Sequence, residues 1–208
     1  MAYDLEEQEQ LDEFKAWWNK NGKMLTNLIL AALIAYAAWQ AYGYYQNKKA
    51  VEASELYQAL VVTDINKTAE IKTQSAKLMD SYSGTPYAGR AAVFAAKANF
   101  AANDDKSAKS QLEWAIKNAK EGAVKAIAGL QLANVLFEEK SYDEAHKVLA
   151  AINDKGYEGL KASLQGDLYL AQGKQAEAKK AFEHALNHLD LQGKLHQYTQ
   201  QKLESLGA

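Results

Sequence analysis

Residues 166–185 read GDLYLAQGKQAEAKKAFEHA. Within them Gly166, Tyr169, Gly173, Ala178, Phe182 and Ala185 run in the order small, aromatic, turn, small, large, small. Two antiparallel helices account for that order. Gly166 and Ala178 let the axes approach, Tyr169 and Phe182 fill the space between them, and Gly173 permits the reversal. The same roles recur upstream on Ala133, Leu136, Ser141-Tyr142, Ala145 and Leu149, with alanine in place of the first glycine. Ala145 and Ala178 stand 33 residues apart. A further step upstream carries Ala96, Phe100, Asn103, Ala108, Leu112 and Ala115, with a longer connection between the two units.

A period close to 34 residues with these roles is the signature of the tetratricopeptide repeat. An ordinary antiparallel bundle with coincidental alanines is the competing reading, and the recurrence of several roles at one period argues against it. The pattern is complete over 127–190, partial over 86–119 and degenerate over 50–82. In the degenerate part Ala53, Leu56, Tyr57, Leu60 and Val61 line one helix face, and Ile71, Ser75, Leu78 and Tyr82 line the next. At Ser83-Gly84-Thr85-Pro86, Gly84 is expected to end one helix, Thr85 to cap the next, and Pro86 to occupy its first turn. Beyond Leu191, the residues Leu195, Tyr198 and Leu203 predict a terminal capping helix over the last repeat. No alternating β-branched run demands a strand. The expected fold is all-α: a single N-terminal transmembrane helix followed by a tetratricopeptide-repeat-like right-handed α-solenoid.

The transmembrane expectation comes from Met24–Tyr45, which contains no Asp, Glu, Lys, Arg or His. As a helix it extends roughly 30 Å, the thickness of a bilayer's hydrocarbon core. Trp17 and Trp18 on one side and Tyr42, Tyr44 and Tyr45 on the other resemble interfacial belts. A cleaved signal peptide is the rival reading, since Ala35-Tyr36-Ala37 supplies an A-x-A. The apolar run continues past Ala37 with bulky aromatics, which favours an uncleaved anchor. Within the span Ala31, Ala35 and Ala38 form a small-residue strip that either meets another helix or faces lipid, while Asn27, Tyr36 and Gln40 do not share one face. Lys15, Lys20 and Lys23 precede the span and Lys48 and Lys49 follow it, so charge alone leaves its direction open.

Residues 1–23 hold six acids and three lysines in a chain of net charge −2, so the remainder is near neutral. Asp4 with Glu7 resembles a capping box, Asn21-Gly22 a helix stop, and Leu11, Phe14 and Trp18 an apolar stripe. The tail reads either as a short amphipathic helix in the headgroup layer or as a frayed acidic segment. A near-neutral domain lacks the basic footprint of a nucleic-acid binder. Cysteine is absent, which removes disulfides and thiolate chemistry.

Enzymatic signatures are missing as well. His184 and His188 lie four apart on one helix, without an HExxH motif or a third ligand, and read as solvent-facing. The acid pairs Asp104-Asp105 and Asp143-Glu144 sit at helix starts, where they complement the macrodipole. The expectation is a non-enzymatic protein with no catalytic, cofactor or metal residues. What a repeat array offers is a concave surface built from the first helix of each pair. The repeat pattern places Val93, Lys97 and Phe100 there, then Leu130, Asn134 and Phe137, then Ser163, Asp167 and Leu170. The apolar members of this set either contact a ligand or pack between helices. The basic clamp of chaperone-tail-binding repeat domains falls here on Val93, Lys97, Leu160 and Leu164, so acidic C-terminal peptides are disfavoured.

The tail FKAWWNKNGK at 14–23, the single span, the repeats, and the run GYEGL at 156–160 with Gly166-Asp167 and Gly173-Lys174 resemble one bacterial family along nearly the whole chain. It is the YfgM family of ancillary SecYEG translocon subunits. The resemblance implies a cytoplasmic tail over 1–23, a transmembrane signal anchor over 24–45 and a periplasmic repeat domain over 46–208, in the bacterial inner membrane. Implied partners are the SecYEG translocon, the membrane-anchored chaperone PpiD and emerging polypeptides passed on to periplasmic chaperones. An alternative is a regulator of an envelope stress response acting through the cytoplasmic tail, and a cytosol-facing anchored receptor is a third reading.

Overall fold

With one proline and abundant alanine, leucine, lysine and glutamate, the chain has little besides helix open to it. The computed structural model describes residues 2–207, with side chains from residue 7 onward, and is 83% helical with no strands among them. The helices are α1 (Ala2–Val61), α2 (Thr68–Ser81), α3 (Pro86–Ala101), α4 (Asp105–Asn118), α5 (Gly122–Glu138), α6 (Tyr142–Ala150), α7 (Glu158–Ala171), α8 (Gln175–Leu186) and α9 (Lys194–Ser205). A 3₁₀ turn, Lys155–Tyr157, precedes α7. The contacts divide the chain into two units, residues 1–48 and 49–208.

In the first unit α1 is uninterrupted at Asn21-Gly22, so the predicted stop is absent. Asn21 Nδ2 donates to the Trp17 carbonyl at 3.2 Å, and Thr26 Oγ1 donates to the Gly22 carbonyl at 2.8 Å. A single interior glycine costs a helix only about 1 kcal/mol, which its neighbours override. The Asp4 side chain of the predicted capping box lies outside the described residues. An 18-residue stretch of α1 reaches a mean hydropathy of 1.5 with none of it buried, so α1 is long and apolar enough to cross a membrane. Gln40 Nε2 donates to the Tyr36 hydroxyl at 3.0 Å, which satisfies a polar group that would be costly alone in hydrocarbon.

The second unit is built of helix hairpins. The last part of α1 pairs with α2, and Ala53, Leu60, Ile71 and Leu78 are buried together with Ala91, Ala95 and Ala98 of α3. Val61, expected on that face, is instead exposed at the helix end. The pairs α3–α4, α5–α6 and α7–α8 follow, and Ala96, Ala108, Ala133, Ala145 and Ala178 are all fully buried at the predicted close approaches. Phe182 is fully buried, and a Cβ added at Gly166 would fall within 2.8 Å of three of its ring carbons. The hairpin turns are also alike. Asn103, Lys140 and Gly173 take φ of 59°, 61° and 73°. The next residue's N–H then donates back: Asp104 to Asn99, Ser141 to Leu136, Lys174 to Tyr169, at 2.8–2.9 Å. These are Schellman closures, so one turn geometry is used three times. Thr85 precedes Pro86 in an extended conformation, but its hydroxyl donates to the Tyr82 carbonyl at 2.8 Å rather than capping α3.

Two substitutions test these constraints by urea unfolding. Gly166→Ala gains about 1 kcal/mol of helix propensity but overpacks the Phe182 ring, which costs about 1–3 kcal/mol, so a net loss is expected. In a Phe182→Leu background the same change becomes neutral or stabilising. Lys140→Gly relieves a left-handed lysine and is expected to stabilise by roughly 0.5–1 kcal/mol.

Candidate functional site

The first helices of successive hairpins touch one another, α3 to α5 and α5 to α7, which brings their outer faces into one surface. Between α3 and α5 that surface is concave. One hollow of about 240 Å³ is lined by Tyr57, Arg90, Val93, Phe94 and Lys97 opposite Val124, Ile127 and Gln131. A second, about 250 Å³, lies between Lys97 and Phe100 and the α5 residues Gln131, Asn134 and Val135. Of the nine predicted groove residues, Val93, Lys97, Phe100 and Asn134 therefore face open space.

The other five sit differently. Leu130 and Phe137 are half-buried and pack on the central core, with the Phe137 ring 6.0 Å from Tyr142. Ser163 is buried, and its hydroxyl is 3.2 Å from that of Thr199 on α9. Asp167 accepts two hydrogen bonds from Lys202 Nζ, at 2.6 and 2.8 Å. Leu170 packs on Ala178, Phe182 and Leu203. The helix expected to cap the array, α9, thus packs on α8 and reaches the third rung on α7 through these side-chain pairs. Leu203 makes that contact, whereas Tyr198 is exposed.

Sequence reasoning missed Val124, Ile127, Gln131 and Val135. Alpha-helix α5 is apolar nearly all round, so its periodicity does not say which face stays open. The groove has an apolar floor and few charges. Arg90 donates to both Glu121 carboxylate oxygens, Nε at 2.7 Å and Nη2 at 2.6 Å. That pairing holds the Glu121 carboxyl below its usual range, and Arg90 is raised by the same hydrogen bond. Lys97 has no ion-pair partner among the described residues. Such a surface can hold a peptide by apolar contact. It offers no acid–base pair.

The histidines lie elsewhere. His184 and His188 have ring centroids 4.4 Å apart, and His184 Nε2 is 3.1 Å from Glu158 Oε1. The hydrogen bond from His184 lowers the Glu158 carboxyl. No cluster of three metal-ligating side chains occurs among the described residues.

The tetratricopeptide repeat-like domain family matches residues 15–208. An ancillary SecYEG translocon subunit of Neisseria gonorrhoeae is 34% identical over 211 residues, covering 99% of this chain and 100% of the relative. The chain belongs to that family. Its relatives of the same name include one from Haemophilus influenzae, 26% identical over 89% of this chain and 91% of the relative. Another, from Escherichia coli, is 26% identical over 96% of each. Family membership and the long apolar α1 together mark a membrane-anchored, single-pass protein.

One partly buried group, His146, is expected to make the repeat array sensitive to pH. His146 Nε2 is buried without a hydrogen-bond partner among the described residues, and its ring lies 4.7 Å from that of Tyr169. Burial pushes the imidazole below its ordinary value, Lys174 pushes it further, and Asp143 opposes them. The unfolded chain therefore takes up the proton first as pH falls. Stability is intact above the unfolded value of about 6.5 and declines as pH drops through it towards the folded value. The urea midpoint is expected to fall between about pH 7.5 and pH 5.5, and His146→Phe to flatten that slope. Glu121, Glu158 and Asp104, also lowered, contribute only at more acid pH, below about 4.5.

Proposed function

We propose that the protein is a non-enzymatic scaffold anchored by α1 beside the Sec translocon in the bacterial inner membrane. In this reading the tail faces the cytoplasm and the repeat unit the periplasm. The α3–α5 groove binds a partner chaperone, PpiD among them, or emerging polypeptides, and helps pass them to the periplasmic chaperones. The observation that carries this reading is full-length similarity to ancillary SecYEG translocon subunits. The unfilled apolar groove between α3 and α5 supports a binding role for the repeat unit.

The test places photocrosslinking residues at Lys97, Gln131 or Asn134 in the groove, at Phe137 and Leu170, and at exposed Glu177 and Lys180 on α8. The groove positions are expected to trap translocon components, a membrane-anchored chaperone or exported chains in intact cells. Crosslinks from α8 alone would sink the groove assignment. Protease added to spheroplasts is expected to digest the repeat unit; digestion only after lysis would place it in the cytosol.

A further inference from the structure

A hollow larger than either part of the groove lies elsewhere in the repeat unit. It lies where α6 is cut short. Helix α6 has 9 residues, against 14 in α4 and 12 in α8, and the chain leaves it at Ala151 for a loop and the 3₁₀ turn. The missing turn opens a cavity of about 720 Å³ between α4, α5, α6 and that loop. Its floor is apolar, with Ile116 of α4, Gly129 of α5, Val148 of α6 and Ile152. Gly122, Lys125, Ala126 and Gly129 at i, i+3, i+4 and i+7 form one face of α5, whereas Val124, Ile127, Gln131 and Asn134 form the groove face. The two surfaces are separate.

Charge decides what this cavity fits. Several cations at hairpin junctions are paired, Arg90 with Glu121, Lys109 with Glu139 and Lys202 with Asp167, whereas Lys97 of the groove is not. Lys125 and Lys147 stand at the cavity on two different helices, and neither has an ion-pair partner among the described residues. The lining acid, Asp154, accepts the Gly156 N–H at 3.0 Å and so caps the 3₁₀ turn. We infer that this cavity is a second docking surface, for a partner polypeptide segment that inserts a large apolar side chain and sets flanking carboxylates against Lys125 and Lys147. The volume lies within the range of specific binding pockets, about 300–1,000 Å³, and two unpaired lysines over an apolar floor complement an acidic, hydrophobic peptide.

The experiment uses the full-length protein in detergent micelles and fluorescence anisotropy. The probe is a fluorescein-labelled twelve-residue peptide alternating Asp with Leu and Phe; a second probe carries Lys at every Asp. The acidic probe is expected to bind with salt-sensitive affinity and the lysine probe not to bind. Lys125→Glu with Lys147→Glu is expected to weaken binding roughly tenfold. Ala151→Trp, from an exposed position at the rim, is expected to fill the cavity and abolish binding without lowering the melting temperature. Lys97→Glu in the groove is expected to leave it unchanged, which separates this proposal from the groove's function. Absence of acidic-probe binding, equal binding of the two probes, or binding indifferent to the double reversal and to Ala151→Trp overturns the proposal. So does lysine-dependent binding to anionic phosphatidylglycerol vesicles when the peptide does not bind.

Discussion

The contact between the Gly166 backbone and the Phe182 ring sets the geometry from which the repeat unit is built. Without a Cβ at 166, α7 lies close enough to α8 for the ring to be sealed on all sides. Full burial of a phenylalanine contributes about 1.5–3 kcal/mol, but its larger effect is geometric. Alanines at 96, 108, 133 and 145 impose comparable spacing on the two upstream hairpins, and hairpins of matched spacing stack with their first helices in register. The groove is a by-product of that stacking: faces of α3 and α5 not needed for packing end up side by side.

This explains what was legible in the sequence. A small residue at a close approach has few alternatives, so the frame of three hairpins and its turns could be read from Gly166, Ala133 and Ala96 outward. Gly173 announced its turn, whereas Lys140 did not. The left-handed conformation at Lys140 is imposed by the Schellman closure of Ser141 onto Leu136, and a lysine tolerates it. Helix α5 hid its open face because Val124 and Ile127 at the groove and Leu130 and Leu132 against the core have similar polarity. The role of α9 was half visible. Its apolar residues announced a cap, but the Asp167–Lys202 and Ser163–Thr199 pairs join positions 35 and 36 residues apart and leave no local periodic trace.

These long-range pairs set the length of the open groove. At one end α9 satisfies Ser163 and Asp167. At the other, the end of α1 packs on α3 and brings Tyr57 to the wall of the hollow, with its ring 5.6 Å from that of Tyr87. The open surface is therefore essentially one rung, between α3 and α5.

A one-rung groove with an apolar floor and Lys97, Gln131 and Asn134 around it has little means of selecting one sequence over another. Strong discrimination requires buried polar groups that a wrong ligand leaves unpaired, and the groove's one fully engaged charge pair, Arg90 with Glu121, is already satisfied within the chain. In the binding role proposed above, apolar area and shape would govern contact there, which suits segments of varied sequence. The cavity under α6 differs in this respect. In the docking proposed there, Lys125 and Lys147 outnumber the lining Asp154 and would favour a segment carrying acids in the right place over a basic one. On these two proposals the faces of α5 divide between tolerant and selective recognition, with one unpaired lysine, Lys97, at the groove and two lysines with one acid, Asp154, at the cavity.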